Sequence, residues 1–222
     1  MSPLGPRAAG AHREGLELPH ASLHDRGYLP HFDAADIWQF ITYRLADSMP
    51  RQVARTLADE LGALPVEERD AAYRKRVEGW LNAGHGACWL ARPDVAEILA
   101  ENWRHFAGTR YDLGAWVIMP NHVHLLIRIR DGHPLEKIIR SWKSYTAKRI
   151  MDLTGCGSPV WWNDYWDRFI RDDGHFANTW RYIEENPVSA GLVGQADAWR
   201  WGSAYGRRSE RASGARSQGA GT

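Results

Sequence analysis

Two histidines separated by one valine, His122 and His124, stand inside the run PNHVHLL. Side chains alternate along a strand, so both imidazoles of such a pair project to the same side. Two neutral imidazoles on one face can converge on a metal ion. They can equally be two surface or packing histidines, and the bare pair favours that plainer reading. Two nitrogens are too few to hold a metal, so a third ligand has to come from elsewhere in the chain. The zinc hydrolase pattern H-x-H-x-D needs an aspartate at position 126, where Leu126 stands. Neither H-E-x-x-H nor a G-x-x-x-x-G-K-[ST] phosphate loop occurs, so nucleotide-driven chemistry has no support.

The segment NTWRYIEENPVSAGLV offers the missing group. On a helix turning about 100° per residue, Phe176, Trp180 and Ile183 form an apolar stripe. Tyr182 and Asn186 are four apart and share a second face, offset from that stripe. Alone, this pair is the edge of an amphipathic helix with an asparagine near its end. With His122 and His124 it makes a set of two imidazoles, an amide oxygen and a phenol. That set suits phosphodiester transesterification: a metal polarises and orients the phosphate, and the phenol attacks phosphorus and becomes covalently linked to it. A free tyrosine has a pKa of about 10, so it must lose its proton near the metal or to a base. The sequence names no such base. A phosphotyrosine link conserves the energy of the bond, so rejoining needs no ATP, in keeping with the missing phosphate loop. Other tyrosines compete. Tyr145 lies at the edge of the stripe Leu135, Ile138, Ile139 and Trp142, where packing is expected; Tyr111 and Tyr165 fall beside strands and read as structural.

These residues need elements to hold them. DIWQFITYRLAD reads as a strand, rich in β-branched and aromatic residues. Helical material follows, broken near Pro65, and then RPDVAEILAENWRHFAG, an amphipathic helix with Val95, Ile98, Leu99 and Trp103 at core spacing. YDLGAWVIM and HVHLLIRIR are strands joined at Pro120-Asn121, a turn pair. PLEKIIRSWKSYTAKRIMDLTG is a long helix stopped near Gly155, and YWDRFIRD a further strand. GHFANTWRYIEEN is the last helix, ended by Pro187, because a residue before proline avoids the helical region. Strand–helix–strand–strand–helix–strand is the ferredoxin-like order, an α+β fold of RRM-like type. It predicts an antiparallel sheet with helices on one face and the other face open. Val123, Leu125, Ile127 and Ile129 then face the helices, and His122, His124, Leu126, Arg128 and Arg130 face away.

Composition sets the bounds. A chain of 222 residues, 44% hydrophobic and 25% charged, suits one globular domain with short appendages. Residues 1–30, rich in Gly, Pro and Ala, read as a mobile extension, residues 31–205 as the catalytic domain, and residues 206–222 as a disordered basic tail. No apolar run is long enough to span a membrane and no hydrophobic signal core opens the chain, so a cytoplasmic protein is expected. The two cysteines, Cys88 and Cys156, lie far apart and support neither a zinc ribbon nor a disulfide framework. The 12 tryptophans read first as packing, with some able to stack on bases. A net charge of +1 leaves nucleic-acid binding to the charge distribution. Lys137, Arg140 and Lys148 fall opposite the apolar stripe of the second long helix. With Arg128, Arg130 and the basic tail they outline a backbone track; singly, each is an ordinary solvated cation.

The pieces RGYLPHFD, WVIMPNHVHLLIRI, SWKSYTAKRI, DYWDRFIRD and RYIEENPVSAGLV together resemble the REP-associated tyrosine transposases, relatives of the single-tyrosine transposases within the HUH endonucleases. The resemblance runs from about residue 26 to 205, and residues 51–82 resemble the helical insertion of this branch. It implies a ferredoxin-like domain that cuts and joins single-stranded DNA beside imperfect palindromic hairpins. It also implies a divalent cation, Mg2+ or Mn2+, and products carrying a 5′-phosphotyrosine and a free 3′-hydroxyl. Carried over by position, it implies His122, His124 and Asn186 as metal ligands and Tyr182 as nucleophile, in a monomer or a homodimer. Asn186 stands where some relatives have Gln. A hairpin-binding protein without turnover is the alternative; a metallohydrolase acting on small phosphoesters is a weaker one.

Overall fold

The computed structural model describes residues 36–206, and the backbone of Ser22–Asp25 and Pro30–Asp33. The expectations for the remaining N-terminal residues and for the tail from 207 onward lie outside the described residues. β1 (Ser22–Asp25), inside the stretch expected to be a mobile extension, pairs antiparallel with β2 (Pro30–Asp33) at the start of the expected domain. Four residues separate the two strands, short enough for a hairpin that needs no apolar period to be seen in sequence.

Then come β3 (Trp38–Arg44), α1 (Arg51–Gly62), α2 (Val66–Asn82), α3 (Pro93–Phe106), β4 (Tyr111–Ile118), β5 (His122–Ile129), α4 (Leu135–Thr154), β6 (Trp166–Phe169) and α5 (Asp173–Ser189). β3, β4, β5 and β6 form one antiparallel sheet in the order β4-β5-β3-β6. With α3 and α4 as the crossovers, this is the ferredoxin-like arrangement expected from the sequence. Gly155, at φ 68°, ends α4 in the left-handed conformation that glycine adopts without strain. The expected insertion is the pair α1 and α2, which close on their own small core of Met49, Leu57, Val77 and Leu81.

One face of the sheet carries Ile41, Tyr43, Val123, Leu125, Ile127 and Ile129, packed against Val95, Leu99 and Trp103 of α3 and Ile138, Ile139 and Trp142 of α4. Each such side chain contributes about 1.5–3 kcal/mol on leaving water. Tryptophan is used here mainly as packing, and three buried indole N–H groups are paired. Trp103 donates to the Tyr43 hydroxyl (3.1 Å), Trp142 to the Tyr111 hydroxyl (3.2 Å) and Trp161 to Thr146 (3.0 Å).

The opposite face departs from expectation. It is not open along its length: α5 folds across it, seating Ile183 with Phe40, Val117, Leu126 and Trp166, and placing Phe176 and Trp180 against the same cluster. The apolar stripe of α5 was legible in sequence, but which sheet face it covers depends on the path of the chain after β6. Gly114 permits this close approach. A Cβ there would lie 2.9 Å from Trp38 and 3.0 Å from the carbonyl oxygen of Leu126. It falls where the β4–β5 register shifts, between Leu113 and Trp116. Nor does α5 stop at Pro187. Proline is inside the helix, which runs to Ser189. So near the C-terminal end the ring costs only the bond to the Ile183 carbonyl, and Ala190 N–H still donates to the Asn186 carbonyl at 2.9 Å.

Candidate active site

Strand register assembles the site. β3 pairs with β5 so that Thr42 faces His124 and Arg44 faces His122, and alternation brings Trp38, Phe40, Thr42 and Arg44 onto the histidine side. The imidazoles of His122 and His124 are 4.8 Å apart between ring centres and inclined at 76°. Phe40 stacks on His124 at 5.4 Å, and the Tyr182 ring meets His124 edge-on at 5.5 Å and Phe40 at 5.8 Å. Phe176 contacts Trp38, so α5 advances in the same direction as β3. Asn186, one turn beyond Tyr182, therefore stands over the end of the sheet where His122 lies. Of the four residues singled out in sequence, His122, His124 and Tyr182 come into ring contact, and Asn186, 64 positions after His122 (186 − 122), follows Tyr182 by one turn of α5.

Burial sets their electrostatics. His122 and His124 are each 1% exposed and Asn186 is 2% exposed. Burial, followed by the neighbouring His124 and the charge of Arg44, pushes the His122 imidazole well below its ordinary range. Burial alone lowers His124 to about 3. Both rings are neutral at pH 7. Their proton positions follow from their partners. Asn121 Nδ2 donates to the carbonyl oxygen of His85 (3.0 Å), so its Oδ1 faces His122 Nδ1 at 2.8 Å. Nδ1 of His122 must carry the hydrogen, which leaves the lone pair on Nε2. His124 Nδ1 lies 2.7 Å from the Thr42 hydroxyl. The hydroxyl can accept from Nδ1–H, and in that tautomer the lone pair of His124 is on Nε2. His122 Nε2, His124 Nε2 and Asn186 Oδ1 are among the buried side-chain atoms with no hydrogen-bond partner. An unpaired buried polar group costs about 1–3 kcal/mol, and three together call for a ligand. Two imidazole lone pairs and an amide oxygen are a fitting donor set for a divalent cation. Among the described residues no three His, Cys, Asp or Glu side chains are gathered to hold a metal.

Acid should unfold the protein through these rings. An unfolded histidine takes up a proton near 6.5, whereas these two resist protonation in the fold to far lower pH. Between those limits the unfolded chain binds more protons, so stability is full above about pH 6.5 and is lost as pH falls. The slope is up to about 1.4 kcal/mol per pH unit for each imidazole. Urea midpoints measured from pH 7 to pH 5 should fall, and the fall should flatten in a His122→Gln, His124→Gln double variant.

Sequence reasoning missed Asn121, Thr42 and the His85 carbonyl, which orient the two rings. Asn121 had been read only as a turn residue. Thr42 is recognisable only once β3 is in register with β5. The other tyrosines are placed elsewhere. Tyr111 is fully buried, donates to the Trp103 carbonyl at 2.6 Å, and its phenol is pushed up by burial. Tyr165 is buried in the α3–α4 core. Tyr145 corrects the expectation of a packing role: it is 50% exposed on α4, across the sheet from the histidines.

The expected DNA-binding cations form two groups. Arg128 and Arg130 lie on the histidine side and both grip Asp112, through contacts of 2.6 Å to its two oxygens. Arg130, then Arg128, holds that carboxyl below the usual range. Two cations thus share one anion. Lys137, Arg140 and Lys148 are exposed on α4, on the other side of the sheet, and Arg140 is paired with Glu136 at 2.6 Å. One straight backbone track cannot engage both groups.

Residues 91–186 match the family model described as "Transposase IS200 like", a stretch that holds α3, β4, the histidine strand, α4 and β6 and ends on Asn186. The class of protein this fold and site resemble is therefore that of the IS200-like transposases. More particularly, the likeness to REP-associated tyrosine transposases read from the motifs holds. A Haemophilus influenzae protein named as a REP-associated tyrosine transposase is 27% identical over 103 residues, 42% of this chain and 58% of that protein. The chain thus spans under two thirds of that relative's length. Among solved structures, a REP-associated tyrosine transposase bound to a REP hairpin shares 17% identity over 87% of each chain, with a TM-score of 0.48. A Deinococcus radiodurans structure named as a transposase shares 17% identity over 73% of this chain and 96% of that one, with a TM-score of 0.31. The fold assignment stands on the strand order itself. Among the described residues no helix is long and apolar enough to cross a membrane.

Proposed function

We propose that this protein is a metal-dependent endonuclease and strand transferase for single-stranded DNA, acting beside palindromic hairpins of REP type through a covalent 5′-phosphotyrosine. The observation that carries this reading is the trio of buried, unpartnered donors, His122 Nε2, His124 Nε2 and Asn186 Oδ1, beside the ring of Tyr182. His122, His124 and Asn186 would hold Mg2+ or Mn2+, leaving positions for water and phosphate oxygens. When bound, the cation supplies Lewis-acid polarisation and orientation of the phosphoryl group. Tyr182 supplies the oxygen that bonds to phosphorus as the bond to the 3′ oxygen breaks. Phe40, against both Tyr182 and His124, keeps nucleophile and ligand in one relation. The hairpin reading rests on the quoted motifs and the named relative.

The test is a hairpin DNA flanked by single strand, incubated with the protein and Mn2+ and resolved under denaturing conditions. A protein–DNA adduct stable to denaturant is expected. A protein that binds the hairpin and never forms an adduct would instead be a binding module.

Asn121 should matter without touching DNA. Asn121→Ala removes the group that fixes the His122 tautomer, and such supporting partners are worth about 10–100-fold in metal affinity. Mn2+ titration of the variant should show a loss of that size; unchanged affinity would mean that the imidazole needs no such support.

A further inference from the structure

β3 carries one more polar group on the histidine side. Arg44 pairs with His122 in the sheet register and is 7% exposed. Its guanidinium lies 4.3 Å from the ring centre of Trp162 and donates from Nη1 to the Ser48 hydroxyl at 3.0 Å. Ser48 spends its own hydrogen on the Leu45 carbonyl (2.8 Å), so its oxygen is free to accept. The platform under the guanidinium is itself tied down. Trp162 N–H donates to the Arg44 carbonyl at 2.9 Å, and the Lys143 ammonium donates to the carbonyls of Asn163 (3.0 Å) and Asp164 (3.2 Å). A cation is thus built into the floor of the site, beside a candidate ligand whose basicity it lowers.

Its position along the strand is informative. Tyr182 meets the sheet at Phe40 and His124, and Arg44 meets it at His122, one rung beyond Thr42. Rungs on one face of a strand are about 6.8 Å apart. Nucleophile and guanidinium therefore flank the histidine pair from opposite ends. In-line displacement at phosphorus needs that opposition: the entering oxygen on one side, the leaving oxygen on the other. We propose that Arg44 is a catalytic residue that hydrogen-bonds the departing 3′ oxygen, opposite Tyr182. This rests on the transesterification reading above. The Tyr182 phenol gives its proton to water as its oxygen bonds to phosphorus, the P–O3′ bond breaks, and the 3′ oxygen leaves with the bonding pair, steadied by the guanidinium. Arginine keeps its own proton, so water supplies the one that completes the 3′-hydroxyl.

The test compares two substrates in one preparation: ordinary DNA, and DNA with sulfur replacing the 3′-bridging oxygen at the cleaved position. A thiolate leaves without such help. Arg44→Gln should cleave the ordinary strand about 100-fold more slowly, the size expected for one lost charge-stabilising donor, and cleave the sulfur-bridged strand at nearly the wild-type rate. Because the ratio is taken within one preparation, misfolding cancels. Equal slowing of both substrates would overturn the proposal and make Arg44 a scaffold residue. Failure of the wild-type protein to cleave either strand would instead overturn the transesterification reading.

Discussion

Tyr182→Phe should bind hairpin DNA as the wild type does and form no covalent adduct with it. Only the phenolic oxygen is removed, and the ring contacts to His124 and Phe40 remain. Loss of a nucleophile from an assembled site lowers turnover by about four orders of magnitude or more. A denaturing gel reads this directly, and a filter-binding or gel-shift titration confirms that DNA affinity is kept. The same substitution at Tyr145, on the opposite side of the sheet, should leave adduct formation intact. Persistence of the adduct in Tyr182→Phe would move the nucleophile elsewhere.

The second large effect concerns the metal. Mn2+ should stabilise the wild-type protein, because it would bind atoms that have no hydrogen-bond partner in the fold. At a concentration 100 times the dissociation constant the gain is about 2.7 kcal/mol, visible as a rise in Tm. His124→Ala should abolish that rise and Asn186→Ala should reduce it. Each removes one of three protein donors, a larger loss than that of a supporting partner. A rise in Tm that survives both substitutions would place the cation at another site. Activity is not needed for this reading, so metal binding and DNA cleavage are tested separately.

Much of this arrangement was legible in the sequence because it depends on local periodicity. Alternation along HVHLLIRIR put both histidines on the side away from α3 and α4, and the four-residue step from Tyr182 to Asn186 put phenol and amide on one helical face. The strand–helix order gave the sheet. What was not legible depends on contacts distant in sequence. Thr42 meets His124 across 82 positions. Asn121 reaches the His85 carbonyl at the end of the insertion, 36 positions back. Nor do single residues reveal that α5 covers the sheet face, since its apolar stripe is equally compatible with either side. Pro187 misled for a related reason. Its local preference ends a helix, but this close to the C-terminus the cost is one hydrogen bond, and Pro187 and Ile183 are buried in return.

The most direct measurement is to digest the covalent protein–DNA complex and identify the modified peptide by mass spectrometry. A nucleotide 5′-phosphate on Tyr182 is the predicted result. Attachment to Tyr145, Tyr165 or any other side chain would contradict the account of this site.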